Sequence, residues 1–163
     1  GVPLRRRFRM QTFLPYSDFE KTARALDYRR LGKQRVETKQ ILMALTGEST
    51  GWRNHPATKM WDGHEFLLAY YGSVMSTEWK ARGYVDNLLP YFEQKMLELT
   101  EQGKTFDNLP WFIGCEPFHE SHRSNLLRKA PEFYSEIFYG TPDDLPYIWT
   151  PEEMSVPRVT VGV

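Results

Sequence analysis

Apolar residues recur every three or four positions along most of this 163-residue chain, and alternation of period two is nearly absent. Side chains repeat their direction every 3.6 residues on a helix and every two on a strand. This pattern therefore points to helices packed on helices. The length is enough to bury a core without disulfides or metal. With 40% hydrophobic and 15% aromatic residues, the composition is too apolar for a disordered tail. No apolar run is long enough to span a membrane, and no charged-apolar-small signal segment opens the chain. A single cysteine, Cys115, excludes an internal disulfide framework and points to a reducing compartment. The expectation is a soluble, cytoplasmic, all-α protein: a compact helical bundle with long ordered loops.

The local signals divide this bundle. Residues 1–9 carry four arginines without a helical period. They read as a basic arm or an extension foreign to the native chain, with Met10 a candidate start. Residues 10–150 form the domain, and 151–163 read as an extended, proline-punctuated tail. Ser17-Asp18-Phe19-Glu20 has the form of a capping box and predicts a short helix to about Ala25. Asp27 is placed to cap a longer helix ending near Leu45, with Gly47 beyond it. On that helix Leu31, Thr38, Ile41, Leu42 and Leu45 share one side. After a loop at Gly51–Pro56, one helix is expected to run to about Lys80 through a kink at Gly72. Another covers 86–102, with Pro90 in its first turn. Residues 103–118 read as a loop, followed by helices over 120–129 and 132–138.

The zero net charge hides a polarity. Residues 1–50 hold eleven basic and five acidic side chains, whereas residues 101–163 hold five and ten. A basic first third on a neutral protein suggests an anionic partner such as nucleic acid. Three clusters carry chemistry. Arg29, Arg30, Lys33, Gln34, Arg35 and Glu37 lie along one helix, with Arg30, Lys33, Gln34 and Glu37 on one face. Positive neighbours favour the ionised form of the single carboxylate, Glu37. Such a carboxylate beside a phosphate-binding surface can stabilise a sugar cation as a glycosidic bond breaks. Lys33–Glu37 ion pairing is the plain alternative. Gly32 inside the helix suggests close backbone approach to a ligand. The second cluster, Trp52-Arg53-Asn54-His55-Pro56, leads into a helix start suited to a phosphate. The third is His119, His122 and Arg123, read as phosphate or base contacts or as a capping cluster. Two histidines one turn apart are a weak zinc signal, and neither metal nor cofactor is expected.

These residues resemble the bacterial branch of the pyrimidine dimer DNA glycosylase family, of the bacteriophage endonuclease V type. There an Arg-Glu helix leads into a Gly-aromatic-basic-Asn-His-Pro loop, matching Glu37 and Gly51–Pro56. Val36 stands where that family has arginine. Arg128–Gly140 is similar to the family's closing basic-Pro-x-aromatic-Tyr segment, and Met10–Tyr16 resembles the opening Met-Gln-Thr-Phe-Leu-Pro-Tyr of uncharacterised bacterial proteins. The resemblance implies an all-helical fold, a bacterial or phage origin and base excision from DNA, with abasic-site lyase activity. It also implies an essential glutamate at Glu37 and a nucleophile at the α-amino group of a processed N-terminus.

The combined expectation is a monomeric glycosylase acting on damaged or modified pyrimidines in double-stranded DNA, with no membrane partner. Catalysis falls to Glu37, with His55 or His122 protonating the leaving base. DNA contacts fall to Arg29, Arg30, Lys33, Gln34, Arg35, Arg53, Asn54, His119 and Arg123. The competing reading is a non-catalytic DNA-binding module on a glycosylase-like scaffold.

Overall fold

The computed structural model describes residues 10–105 and 108–154. The arm expected over 1–9 and the tail beyond 154 lie outside the described residues. Eight helices follow one another among them: α1 Phe19–Ala25, α2 Tyr28–Leu45, α3 Pro56–Trp61, α4 Glu65–Ala81, α5 Leu89–Glu101, α6 Glu116–Lys129, α7 Pro131–Tyr134 and α8 Pro151–Met154. The described residues contain no strand, so the all-α expectation holds.

The helix ends show which local signals acted. The Asp18 carboxylate caps α1, accepting the Lys21 N–H at 2.7 Å, one residue later than the expected Ser17 cap. Asp27 stands at the start of α2 as expected, but its side chain caps nothing. It accepts instead from the Tyr134 hydroxyl and from Arg30 at 3.1 Å, tying α2 to α7. The single helix expected over 57–80 is two, because Gly63 takes a left-handed turn at φ +85° between α3 and α4. α6 begins at Glu116, inside the expected loop. Pro117 sits in its first turn, where the missing N–H costs no hydrogen bond. The last helical stretch is shorter than expected, ending at Tyr134, and Pro151–Met154 is helical rather than extended.

The bundle centres on α4. α2 and α5 pack along it, and α1 lies against it. Trp61, Tyr71, Phe92, Phe112, Phe118 and Tyr134 are fully buried. Where a kink was expected at Gly72, α4 runs on without a break in the helix. Gly72 serves the packing of α5 instead: a Cβ there would stand within 2.6 Å of Phe92 Cδ1 and Cζ. Phe92 is buried and cannot swing away, so Gly72→Ala should destabilise the fold by about 1–3 kcal/mol despite alanine's better helix propensity. Urea denaturation measures this; unchanged stability would remove the packing explanation.

Residues 10–15 are buried and adopt neither helix nor strand. Their backbone groups are satisfied by side chains from the surrounding helices, as a buried segment requires. Gln34 accepts the Phe13 N–H at 2.8 Å and donates to the Gln11 carbonyl at 2.9 Å. The Tyr71 hydroxyl lies 2.7 Å from the Phe13 carbonyl and 2.8 Å from Gln34 Oε1. The Leu14 N–H donates to His122 Nδ1 at 2.9 Å, and the Leu14 carbonyl accepts from His119 Nδ1 at 2.8 Å. Arg123 donates to the Pro15 carbonyl at 2.8 Å. This threaded segment is what brings Gln11 to α2.

Candidate functional site

The expected face of α2 divides in two. Gln34, one turn before Glu37, points inward and is 1% exposed. Its amide holds the threaded segment and lies 3.4 Å from Glu37 Oε2. The same carboxylate oxygen accepts the Gln11 backbone N–H at 3.2 Å. Glu37 thus stands at the border between the buried segment and a surface groove of about 540 Å³, whose lining includes Tyr28, Arg29, Lys33, Glu37 and Trp79. A second groove of about 540 Å³ shares Tyr28, Arg29 and Lys33 and adds Arg30, Lys129 and Phe133. The two form a basic face at the start of α2 and the end of α6.

The electrostatics correct one expectation. Cationic neighbours were expected to hold Glu37 ionised. Burial dominates instead and pushes its carboxyl up to about 7, against the opposing pull of the Gln11 N–H, Lys33, Lys129 and the Gln34 amide. A carboxyl poised near neutral pH is suited to exchange protons with a reacting group.

The other expected residues separate by burial. Arg29 and Lys33 are exposed and line both grooves, and Arg30 is partly held by Asp27. Arg35 lines the first groove, but its charge is already matched within the fold. It is buried and paired with Asp86 at 2.7 Å, its guanidinium 4.9 Å from the Trp79 ring centre. Burial raises the Asp86 carboxyl, but the Leu89 N–H, Arg35 and the Leu88 N–H together hold it below the usual carboxylate range. Gly32 lines the first groove and also makes room for this cluster: a Cβ there would stand 3.0 Å from Trp79 Cη2.

The histidine expectations change most. His122 is fully buried, and burial takes its ring down to about 3, with His119 adding to the effect. Its Nδ1 accepts from Leu14, so the neutral ring anchors the threaded segment and cannot present a proton to DNA. His119 is buried likewise, and burial lowers it too. It donates to the Leu14 carbonyl and accepts the Gly114 N–H at 2.9 Å. Gln34 also exchanges a DNA contact for this anchoring role. Arg123 is held by Pro15 and Glu116. His55 is buried, its ring 5.7 Å from that of Trp52 and 6.1 Å from that of Trp149, and its Nδ1 accepts the Ala57 N–H at 3.0 Å. That bond takes up one of the N–H groups a phosphate would need at the start of α3. Arg53 and Asn54 are exposed but line neither groove.

Four contributors escaped the site expectations. Lys129 reaches the site from the end of α6, joined only through tertiary folding. Tyr28 and Trp79 form part of the groove wall, although aromatics at helical spacing usually belong to a core. Gln11 carried no signal beyond the likeness of Met10–Tyr16. Among the described residues, no group of three or more histidine, cysteine, aspartate or glutamate side chains is placed to hold a metal.

Residues 10–92 match the family model described as pyrimidine dimer DNA glycosylase, half of the chain. The chain belongs to the pyrimidine dimer DNA glycosylase family. The matched span contains the threaded segment, Glu37, the Trp52–Pro56 loop and Tyr71. The likeness at Arg128–Gly140 lies beyond it. No curated protein and no solved structure matches the chain. Membership in a family of DNA glycosylases gives DNA as the substrate class and repair as the setting. No helix among the described residues is long and apolar enough to cross a membrane.

On a DNA-binding surface, exposed and buried cations behave differently. Lys33→Ala should reduce the slope of log affinity against log salt by about 1, because one fewer counterion is released. Arg35→Ala should lower the melting temperature and leave that slope unchanged. Filter binding across a salt series separates the two; equal slope changes would return Arg35 to the DNA-contacting face.

Proposed function

We propose that the chain is a DNA N-glycosylase that releases a damaged or modified pyrimidine from duplex DNA, with Glu37 acting at the sugar. The observation carrying this reading is Glu37 itself. It is a carboxyl held near pH 7, hydrogen-bonded to the Gln11 N–H, at the edge of a groove lined by Arg29 and Lys33. Arg29, Lys33 and Lys129 attract the phosphates. The target nucleotide leaves the stack, at a cost of about a few kcal/mol that is least where pairing is already damaged. The bond between C1′ and the base nitrogen breaks, and its electron pair leaves with the base. Ionised Glu37 stabilises the resulting sugar cation and takes a proton from the water whose oxygen bonds to C1′. The departing base takes its proton from solvent. The products are a free base and an abasic site.

The family resemblance implies an amine nucleophile and strand cleavage. Here the nitrogen 3.2 Å from Glu37 is the backbone nitrogen of Gln11. We assign the attack to water, for which the ionised Glu37 carboxylate serves as the base. The test combines mass spectrometry of products from duplexes carrying a panel of modified pyrimidines with borohydride trapping. Free base without a trapped adduct supports the reading. A trapped adduct replaces water with an amine. Tight, salt-sensitive binding without base loss makes the chain a non-catalytic module.

A further inference from the structure

Three aromatic rings stand in a row beside Glu37. Tyr28 lies 6.5 Å from Tyr84 between ring centres, at 26° between planes, and Tyr84 lies 4.2 Å from Trp79 at 23°. The Trp79 end is closed and fixed. Arg35, anchored by Asp86, covers that ring, Gly32 gives it room, and its Nε1 donates to the Val85 carbonyl at 3.1 Å. The other end is exposed, Tyr84 by 42% and Tyr28 by 51%, and Arg29 reaches the Tyr28 ring, its guanidinium 5.8 Å from the ring centre and its Nε donating to the Tyr28 hydroxyl at 3.1 Å. Tyr28 and Trp79 line the same groove as Glu37, Arg29 and Lys33.

A ligand complementary to this wall needs a planar ring for the aromatic faces and an anion for the two cations. Between them it needs a centre that becomes positive, facing the carboxylate. A nucleotide undergoing loss of its base has this order: base, sugar, phosphate. We propose that the Tyr28–Tyr84–Trp79 row is the stacking platform that receives the pyrimidine base as it leaves the duplex, its sugar turned toward Glu37. This rests on the glycosylase reading above and names the side chains that would hold the base. The exposed rings compensate the lost base stacking at the point of extrusion, at no cost in hydrogen-bond readout.

The test measures binding by the Glu37→Gln protein, so that no base is lost during measurement. Two duplexes serve as probes: one with a single thymine–thymine mismatch, the other identical except that a tetrahydrofuran abasic analogue replaces that thymine. The thymine duplex should bind more tightly. Adding Tyr28→Leu should weaken it about 5- to 50-fold and leave the abasic duplex unchanged, because a sugar without a base has nothing to stack. Tyr28→Phe, which keeps the ring and loses only the hydroxyl bonded to Arg29, should keep the parent's preference for the thymine duplex. Equal loss on both duplexes, no loss on either, or no initial preference for thymine would overturn the platform. The glycosylase reading fails separately, through absence of base release by the wild-type protein from every modified duplex.

Discussion

Glu37→Gln should abolish release of base from damaged or modified duplex DNA, lowering the rate by about 10²–10⁴-fold, while DNA affinity stays the same or tightens slightly. The amide is nearly isosteric, and its oxygen can still accept the Gln11 N–H that the carboxylate accepts at 3.2 Å. The threaded segment therefore keeps its anchor, and Gln34 keeps its bonds to Gln11 and Phe13. What disappears is a group able to carry negative charge opposite a sugar cation or to take a proton from water. Loss of that charge also removes repulsion toward phosphate, so binding should not weaken. Single-turnover product analysis beside equilibrium binding reads both quantities. Wild-type release by this variant would take Glu37 out of the reaction. Parallel loss of binding would make its role structural.

The same substitution should change how stability depends on pH. Burial raises the Glu37 carboxyl from 4.5 to about 7 in the fold. The folded chain therefore holds this proton more tightly than the unfolded chain. The stability this proton confers is fully present below about pH 4.5 and is lost as pH rises through about 7. In full, the loss is on the order of 3 kcal/mol. A glutamine has no charge to desolvate. The stability advantage of Glu37→Gln over wild type should therefore grow by about that amount between pH 4.5 and 8. Titrations of other groups largely cancel in the difference between the two proteins. Urea denaturation of both across this range provides the measurement. Parallel curves would mean that the carboxyl titrates near its ordinary value.

Much of the architecture was legible because helices announce themselves locally. The stripe Leu31, Thr38, Ile41 and Leu42 is buried where the period places it. Pro90 sits in the first turn of α5 because proline tolerates that position. The break at Gly63 and the early start of α6 were harder to read, since glycine and proline act according to position rather than presence. Glu37 and the exposed cation Lys33 were legible as one helix face, with Arg29 on the same helix. The roles of Gln34, Arg35, His119 and His122 were not. Each is a polar side chain turned inward by a distant partner: Asp86 for Arg35, and the backbone of residues 11–14 for the others. Local spacing cannot distinguish a cation that faces phosphate from one that meets a carboxylate fifty residues away. Nor could it reveal that burial would outweigh the positive neighbours of Glu37, because desolvation depends on the whole fold.

The central claim is that a half-buried carboxyl titrating near neutrality performs the glycosidic step. Its most direct measurement is the pH dependence of base release at limiting DNA, where the profile reports the free protein's groups. Glu37 should make the rate climb with pH and level off above a midpoint near 7. A rate already level from pH 5.5 upward would contradict the account, since it would show a carboxylate ionised throughout and Glu37 uninvolved as the titrating group.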